Sequence, residues 1–268
     1  MSNIFTIDQL ECSYDNGKST ALLIENVDIQ KGKLIFVLGK SGIGKSTMLE
    51  ALGLMTNTIS NKENKVFFHN DTEKIPLDTL WTKNNLSEFR SQFYSFIFQS
   101  NNLMDNFSAG ENMAFGLLLT GKAMQESKSY IEKIMLDIDL PVELFDRNIQ
   151  SLSGGQRQRL AFVRAITAPF KVMFCDEPTG NLDKIVSYKL LNVLKNKISE
   201  NQQTAIIVSH NIDLAISFAD EIFTIVPDSK YNGYLSNEMI YKKVNDHWVD
   251  SQGNAIENPQ NKLLQTIQ

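Results

Sequence analysis

A glycine-rich segment near the start of the chain carries the residue types that hold a nucleotide phosphate. Residues 39–47 read GKSGIGKST and satisfy the pattern G-x-x-x-x-G-K-[ST]. The glycines let backbone N–H groups approach phosphate oxygens, Lys45 neutralises the β- and γ-phosphates, and the Ser46 hydroxyl is suited to ligate Mg²⁺. The segment follows the apolar run Leu34–Leu38 and precedes a predicted helix from about Lys45, as the pattern requires. It predicts a phosphate loop, which kinases, GTPases and motors all use.

Two adjacent carboxylates indicate the chemistry at that loop. Asp176 and Glu177 directly follow the apolar run 172–175. An aspartate at the carboxyl end of a buried strand beside a phosphate loop can hold the Mg²⁺ shell, and the next carboxylate is placed to polarise a water for attack on the γ-phosphate. Alone, the pair would be interpreted as a solvated strand end. Beside a phosphate loop, it predicts hydrolysis.

A second segment is built to bind an anion. Residues 152–166, LSGGQRQRLAFVRAI, place a serine and two glycines before a predicted helix that ends at Pro169, with Leu160, Val163 and Ile166 on one face. A helix N-terminus offers unpaired backbone N–H groups and the positive end of the peptide dipole, which together bind anions. One nucleotide rarely needs two such sites, so the second requires its own explanation.

Composition restricts the class of protein. The chain has 268 residues, 42% of them hydrophobic, which is enough for one large α/β domain or two smaller ones. The net charge of -5 disfavours nucleic acid as a partner, because duplex binding needs a basic face. Cys12 and Cys175 are too few and too far apart for a disulfide framework, which favours a reducing, cytosolic setting. The N-terminus does not read as a signal peptide, and no apolar stretch approaches the ~20 residues that span a bilayer.

Short apolar runs predict the strands. Ile4–Leu10 and Ala21–Ile29 suggest an antiparallel hairpin or meander around a turn at 15–17. Three continuous apolar runs are typical of parallel strands buried on both faces, namely Leu34–Leu38, Val172–Cys175 and Ala205–Val208. Because predicted helices alternate with these strands, we expect an α/β fold with a mixed, mainly parallel sheet and an antiparallel N-terminal β subdomain.

The pattern changes at about 101–155, where helical signals dominate. Ser108 and Glu111 form a capping box before the apolar run Met113–Leu119. Apolar residues then recur at helical spacing at Ile131, Ile134, Met135 and Ile138. We expect a helical subdomain inserted into the α/β core, rather than further core helices, because no strand-like run separates them.

The C-terminal part is more polar. Met239–Val244 and His247–Val249, separated by Asn245 and Asp246, predict a β-hairpin. From about Asn254 the periodicity weakens, and we expect a mobile tail. We therefore divide the chain into a nucleotide-binding domain over 1–226 and a C-terminal extension over 227–268.

Residues 152–156, LSGGQ, resemble the signature of the ATP-binding cassette (ABC) ATPases, and the other motifs fall in the order of that family. Tyr14 looks like the aromatic residue that stacks on adenine, Gln99 like the Q-loop glutamine, residues 181–183 like the D-loop, and His210 like the switch histidine. The resemblance covers about residues 4–226, and it is the ordered set that makes it specific.

The resemblance implies a role for each matching residue, with ATP and Mg²⁺ as ligands. The residues implied to bind ATP are Tyr14, Gly39, Lys40, Ser41, Gly42, Ile43, Gly44, Lys45, Ser46 and Thr47. Those implied to contact ATP held by another copy are Ser153, Gly154, Gly155 and Gln156. Those implied to act in catalysis are Glu177 as the general base, His210 as the γ-phosphate contact, and Gln99; those implied to bind Mg²⁺, partly through water, are Ser46, Gln99 and Asp176. Asp183 is implied to organise the dimer.

The resemblance also explains the second anion site. In the family, the signature of one cassette grips the γ-phosphate of a nucleotide held by the phosphate loop of the other, so a head-to-tail pair, here most simply a homodimer, contains two composite sites. The stretches at 96–113 and 177–183 are similar to the subgroup of lipoprotein-releasing, macrolide-export and cell-division systems. This implies separate integral membrane permease subunits and a cytoplasmic location on the inner face of the cell membrane. Leu103, Met104 and Phe107 are candidates for contact with those subunits, or else they close the core of the helical subdomain.

Two alternatives compete with the transporter interpretation. A soluble ABC ATPase with one cassette, acting in an assembly complex such as iron–sulfur biogenesis, stays open, although the sequence has no long heptad arm and no cysteine set for zinc or clusters. A small-molecule kinase with a phosphate loop does not account for the signature or for His210. Ile43 departs from the commonest pattern of the phosphate loop, and its side chain must find an apolar wall.

Overall fold

The structure is a computed structural model that describes residues 2–14, 19–58, 65–71, 73–81 and 85–267. The turn predicted at 15–17 lies outside the described residues. The strands are β1 (Asn3–Tyr14), β2 (Ser19–Gln30), β3 (Leu34–Leu38), β4 (Lys65–His69), β5 (Lys74–Pro76), β6 (Tyr94–Ile97), β7 (Val172–Asp176), β8 (Thr204–Val208), β9 (Glu221–Thr224), β10 (Gly233–Ser236), β11 (Ile240–Val244) and β12 (His247–Val249). The helices are α1 (Lys45–Leu52), α2 (Leu77–Leu80), α3 (Leu86–Phe93), α4 (Ala109–Leu119), α5 (Met124–Asp137), α6 (Gly154–Thr167), α7 (Lys184–Asn201), α8 (Ile212–Phe218) and α9 (Pro259–Ile267).

A seven-stranded sheet in the order β12-β11-β9-β3-β8-β7-β6 forms the centre of the molecule. Strands β9, β3, β8, β7 and β6 run parallel to one another. Strand β11 is antiparallel to β9, and β12 is antiparallel to β11. The three apolar runs predicted as buried strands form β3, β7 and β8, which confirms the mainly parallel sheet. Because parallel strands have their carboxyl ends at one edge, the residues that follow β3, β6, β7 and β8 come together there.

Alternate residues of these strands face two separate hydrophobic cores, as the period of two requires. On one side, Leu34, Phe36 and Leu38 of β3 pack with residues of α4 to α8. On the other side, Ile35 and Val37 pack with α1 and with the N-terminal sheet. All five residues of β3 are buried, so the strand that leads into the phosphate loop is held firmly on both faces.

A second sheet of five strands, in the order β10-β2-β1-β4-β5, covers one of these cores. The pairs β1–β2, β1–β4 and β4–β5 are antiparallel, which confirms the antiparallel N-terminal subdomain. Strand β10 joins its edge in parallel, with Gly233 opposite Leu22. This strand is absent from the elements predicted from the sequence.

The inserted subdomain is helical, as predicted. Helices α4 and α5 are followed by 3-10 turns at Val142–Leu144 and Ile149–Ser151, and no strand lies between α4 and α6, a stretch that is fully described. The capping box before α4 is present, since Glu111 N donates to Ser108 Oγ (3.2 Å) and Ser108 N donates to a Glu111 carboxylate oxygen (2.7 Å). The predicted apolar positions of α5, namely Ile131, Ile134 and Met135, are buried in the core that also contains residues of α4 and α6.

The C-terminal residues join both sheets. Strands β11 and β12 form the predicted hairpin, and Asn245 (φ 49°) and Asp246 (φ 64°) connect them. Two central residues with positive φ are typical of a type I′ turn. Instead of the mobile tail that we expected from about Asn254, α9 packs its buried Leu263 on this end of the sheet. In the part of the chain that is described, no helix is long and apolar enough to cross a bilayer.

Candidate functional site

A cleft of about 250 Å³ lies where the carboxyl ends of the parallel strands meet. The loop after β3 forms one wall, and the ends of β6, β7 and β8 form the other. Its lining residues are Ser41, Gly42, Gly44, Lys45, Ser46, Thr47, Gln99, Asp176, Glu177, Val208 and His210. The structure thus brings together most of the residues that the sequence predicted for ATP, Mg²⁺ and catalysis, although they come from four separate parts of the chain.

The phosphate loop turns through two glycines with left-handed backbones, Gly42 (φ 74°) and Gly44 (φ 105°), where an L-residue with a side chain would be strained. Gly44 is the residue at the N-terminus of α1, so the free N–H groups of the helix point to the loop. Lys45 Nζ donates to the carbonyl oxygens of Gly39 (3.0 Å) and Lys40 (2.7 Å). Burial lowers the pKa of Lys45, and the carboxylates at the cleft partly offset this effect.

Ile43 finds the apolar wall that its position in the loop requires. Its side chain is buried in the same core as Ile225 and Leu235. Its carbonyl oxygen approaches Gly233 of β10 so closely that a Cβ on that glycine would lie 2.0 Å away. The departure from the common sequence pattern therefore leaves the loop intact, and strand β10 packs directly on it.

Ser46 and Asp176 form an oxygen pair at the floor of the cleft. Ser46 Oγ donates a hydrogen bond to Asp176 Oδ2 at 2.9 Å. A hydroxyl and a carboxylate are ligands that Mg²⁺ prefers, and this ion usually takes one or two protein oxygens together with phosphates and water. No group of three or more His, Cys, Asp or Glu side chains in the described ranges could hold a metal ion without such help. The residues present therefore fit a Mg²⁺ ion that arrives with a nucleotide.

Glu177 is held in an unusual backbone conformation beside this pair. Its φ is 49°, in the left-handed region that non-glycine residues rarely adopt, and its N–H donates to the carbonyl of Val208 (3.0 Å). Its Oε1 is buried, lacks a hydrogen-bond partner among the described residues, and lies 3.4 Å from His210 Nε2. Burial raises the pKa of Glu177; Asp176 raises it further, whereas His210 and Lys45 lower it. Such a carboxyl is suited to accept a proton from water.

Gln99 and Tyr14 lie at the rim. Gln99 follows β6 and is exposed at the cleft, where its amide can reach water or a metal ion. Tyr14 ends β1 with 40% of its surface exposed, and its hydroxyl forms a hydrogen bond with Thr47 Oγ1 (2.9 Å) and donates to a carboxylate oxygen of Glu50 (3.2 Å). The ring is therefore tied to α1 at its hydroxyl end.

The signature residues do not line this cleft. Ser153 caps the N-terminus of α6 in a capping box, in which Gln156 N donates to Ser153 Oγ (3.3 Å) and Ser153 N donates to Gln156 Oε1 (2.9 Å). Asp183 likewise caps α7, because its Oδ1 accepts from Val186 N (3.0 Å). The structure thus gives a local role to both residues, and Ser153 lies outside the cleft that holds Lys45.

Gln158 is connected to the site in the structure, although it is not among the residues predicted from the sequence. This glutamine on α6 is buried, and its Nε2 donates to the carbonyls of Pro178 (2.8 Å) and Glu177 (3.4 Å). Its position four residues before Phe162, on the buried side of the helix, is the signal that could have identified it.

Comparisons with known proteins agree with this geometry. The ABC transporter family profile matches residues 24–180. The lipoprotein-releasing system ATP-binding protein LolD of Idiomarina loihiensis is 34% identical over 209 residues, which are 77% of this chain and 88% of that protein. The macrolide export ATP-binding/permease protein MacB of Mannheimia succiniciproducens is 33% identical over 218 residues, which are 80% of this chain and 32% of the exporter.

Solved structures give the same result. The dimeric structure of MJ0796, a bacterial ABC transporter cassette, superposes with a TM-score of 0.73 at 26% identity and covers 89% of this chain and 98% of that one. A dimeric post-hydrolysis state of the same cassette, bound to ADP and phosphate, has a TM-score of 0.72. The predicted family and its lipoprotein-releasing and macrolide-export subgroup are confirmed. The chain belongs to the ABC transporter family, as an ATP-binding cassette that hydrolyses ATP with Mg²⁺.

Proposed function

We propose that two copies of this chain form a head-to-tail dimer that binds and hydrolyses ATP at two shared sites and powers separate membrane subunits. One observation carries this proposal: a single chain holds a hydrolytic cleft with Lys45, Asp176 and Glu177, while the helix N-terminus at Ser153 lies outside it. These two anion sites can contact the same nucleotide only when a second copy places its Ser153 helix against the cleft of the first.

The cleft residues take distinct roles toward the nucleotide. Lys45 and the backbone N–H groups of residues 39–47 hold the β- and γ-phosphates, and the exposed ring of Tyr14 stacks on adenine. Ser46 and Asp176, with Gln99 partly through water, hold Mg²⁺. When bound, Mg²⁺ neutralises the charge of the phosphate oxygens.

Glu177 and His210 act on the attacking water. The raised pKa of Glu177 makes its carboxylate a stronger base. The carboxylate takes a proton from a water whose oxygen forms a bond to the γ-phosphorus, while the bond from this phosphorus to the β–γ bridging oxygen breaks and ADP leaves. His210 Nε2, close to the same carboxylate, orients this water and contacts the γ-phosphate. Gln99 sits between this cleft and the helical subdomain and senses the partner.

The second copy completes each site. Ser153, Gly154, Gly155 and Gln156 present the N-terminus of α6 to the γ-phosphate bound in the other chain, and Asp183 organises the contact between the copies. Association is then linked to ATP by mass action, and loss of the γ-phosphate removes the contact and lets the dimer open.

A groove of about 530 Å³ beside the helical subdomain is where we place the membrane subunits. Phe115 and Leu119 line it, and Leu119 is 69% exposed. Of the three candidates from the sequence, Phe107 is exposed and its ring lies 6.3 Å from that of Phe115, whereas Leu103 packs on the core and Met104 is half-buried. Permease binding in this groove puts the chain on the cytoplasmic face of the membrane.

Complementation between two inactive variants tests the shared sites. Lys45→Ala disables the phosphate loop, and Ser153→Arg blocks the signature. In a mixed dimer, both changes fall in one composite site and the other site is intact. Half of the dimers in the mixture are mixed, and half of their sites are intact. Mixing the two proteins should therefore restore about a quarter of the wild-type ATPase rate. Each variant alone stays inactive.

The control mixes Lys45→Ala with Glu177→Gln. These changes lie in the same cleft of one chain, so each site of the mixed dimer carries one of them and no activity returns. Absence of recovery with the first pair, while isotope-labelled chains show that mixed dimers form, would refute sharing of the site between two copies.

A further inference from the structure

The contact between Gln158 and the loop that carries Glu177 links two parts of the machinery within one chain. Gln158 lies in α6, the helix whose N-terminus carries Ser153, and its side chain is 5% exposed. Its Nε2 donates to Pro178 O at 2.8 Å and to Glu177 O at 3.4 Å. In the proposed dimer, α6 faces the second copy, and Gln158 connects this helix by hydrogen bonds to the backbone at Glu177, the proposed base.

The bond falls where the backbone most needs support. Glu177 has a left-handed backbone, which persists in a non-glycine residue only when its surroundings hold it. On its amino side, β8 supplies that support through Val208 O. On its carboxyl side, the amide of Gln158 and the N–H of Gly180 (3.2 Å to Glu177 O) supply it.

The orientation of the amide is fixed by its neighbours. Two carbonyl oxygens face the same end of the side chain, so this end must be the NH₂ group. The other end, Oε1, is buried without a hydrogen-bond partner among the described residues. Among the described residues, the hydrogen bonds of this side chain are thus directed to the backbone of Glu177 and Pro178 alone.

We propose that Gln158 is a positioning residue, which transmits the position of the signature helix to Glu177 of the same chain. When the second copy engages Ser153, α6 is held in place, and the amide of Gln158 holds the carbonyls of Glu177 and Pro178 so that the carboxylate reaches its working position. This inference rests on the proposed function, because it takes Glu177 as the base.

Gln158→Leu tests the inference in the full chain, because leucine is of similar size and lacks the amide. We expect kcat for ATP hydrolysis to fall at least about tenfold, as when a group that positions a base is lost. The Kd for ATP stays within about twofold, because the residue does not line the cleft. Gln203→Leu is the matched control. Gln203 Nε2 likewise donates to a backbone carbonyl, Phe170 O (2.6 Å), and Gln203 Oε1 is also buried without a hydrogen-bond partner among the described residues. However, Gln203 directly precedes β8 and so lies at the end of this strand opposite the cleft. This control keeps the wild-type rate.

A second measurement separates positioning from a structural role. In the Glu177→Gln background, where the base is absent, Gln158→Leu leaves the ATP-bound dimer intact in gel filtration, because the amide acts through Glu177. A wild-type kcat for Gln158→Leu would overturn the inference, as would loss of the ATP-bound dimer in the double variant. Neither result touches the proposed function, which fails instead if Glu177→Gln alone hydrolyses ATP at the wild-type rate.

Discussion

His210 Nε2 lies 3.4 Å from Glu177 Oε1, across the ends of the neighbouring parallel strands β8 and β7. The same oxygen is buried and lacks a hydrogen-bond partner among the described residues. A buried carboxylate oxygen that has an imidazole nearby but no hydrogen-bond partner is useful for catalysis but unfavourable for folding. This conflict leads to a prediction that can be measured without nucleotide.

Glu177→Gln should raise the thermal stability of the nucleotide-free protein. Burial raises the pKa of Glu177, so the folded protein is penalised once the pH exceeds the ordinary glutamate value of about 4.3, and the whole penalty is present above the raised pKa. We expect the free energy of unfolding at pH 7 to rise by about 1 kcal/mol, which corresponds to an increase in Tm of about 2–4 °C. The difference from wild type should vanish below about pH 4, where the carboxyl group is protonated in both the folded and the unfolded protein. Calorimetry across this pH range measures it. The control, Glu257→Gln at an exposed position, leaves Tm unchanged; a lower Tm for Glu177→Gln at neutral pH would contradict the cause assigned here.

Ser46→Ala should lower the affinity of the ATP-bound protein for Mg²⁺. The substitution removes both a proposed ligand and the donor to Asp176 at 2.9 Å. We expect the Mg²⁺ concentration for half-maximal ATPase activity to rise at least about tenfold, because a lost ligand reduces metal affinity by more than a lost supporting contact does. Titration of Mg²⁺ at saturating ATP measures this shift. Ser199→Ala, on an exposed turn of α7, should titrate like the wild type; equal titration of Ser46→Ala would exclude Ser46 as a ligand.

The local patterns were the most predictable part of the chain. The phosphate loop, Asp176 and Glu177 directly follow apolar runs, and the structure places them at the carboxyl ends of β3 and β7. Strand β10 was missed because its four residues gain their partner, Leu22 and its neighbours in β2, only in three dimensions. Helix α9 was missed because it is short and depends on burial of Leu263 rather than on helix propensity.

Some properties of the site also depend on tertiary structure alone. The left-handed backbone of Glu177 is held by hydrogen bonds with Val208 and Gln158, which lie in other elements of the fold. The capping of α7 by Asp183 gives this residue a structural role beside the one that the family resemblance implies. No sequence pattern distinguishes these two roles, because both need an aspartate directly before the helix.

Trp248→Ala should destabilise the whole protein, although it lies in the predicted C-terminal extension. The side chain is 5% exposed and packs with Ile222 of the central sheet and Leu263 of α9. We expect the free energy of unfolding to fall by about 3–5 kcal/mol, the usual cost of truncating a buried tryptophan. Val244→Ala, half-exposed in the same hairpin, should cost less than about 0.5 kcal/mol. Urea unfolding measures both, and a Trp248→Ala midpoint equal to wild type would mean that the hairpin does not stabilise the core.

Asp246→Gly should stabilise the protein through the hairpin turn. Asp246 has φ 64° in the type I′ turn, and a glycine after asparagine is favoured there because it adopts positive φ without strain. The ion pair that is lost, to Lys243 at 4.0 Å, involves a carboxylate that is 98% exposed and therefore contributes little. We expect a gain of about 0.5–1 kcal/mol in urea unfolding. Gly253→Ala supplies the opposite case: a Cβ there meets nothing within 4 Å, but φ is 85°, so backbone strain alone should cost about 1 kcal/mol. If both substitutions shifted the midpoint in the same direction, positive φ would not be the property that governs these two turns.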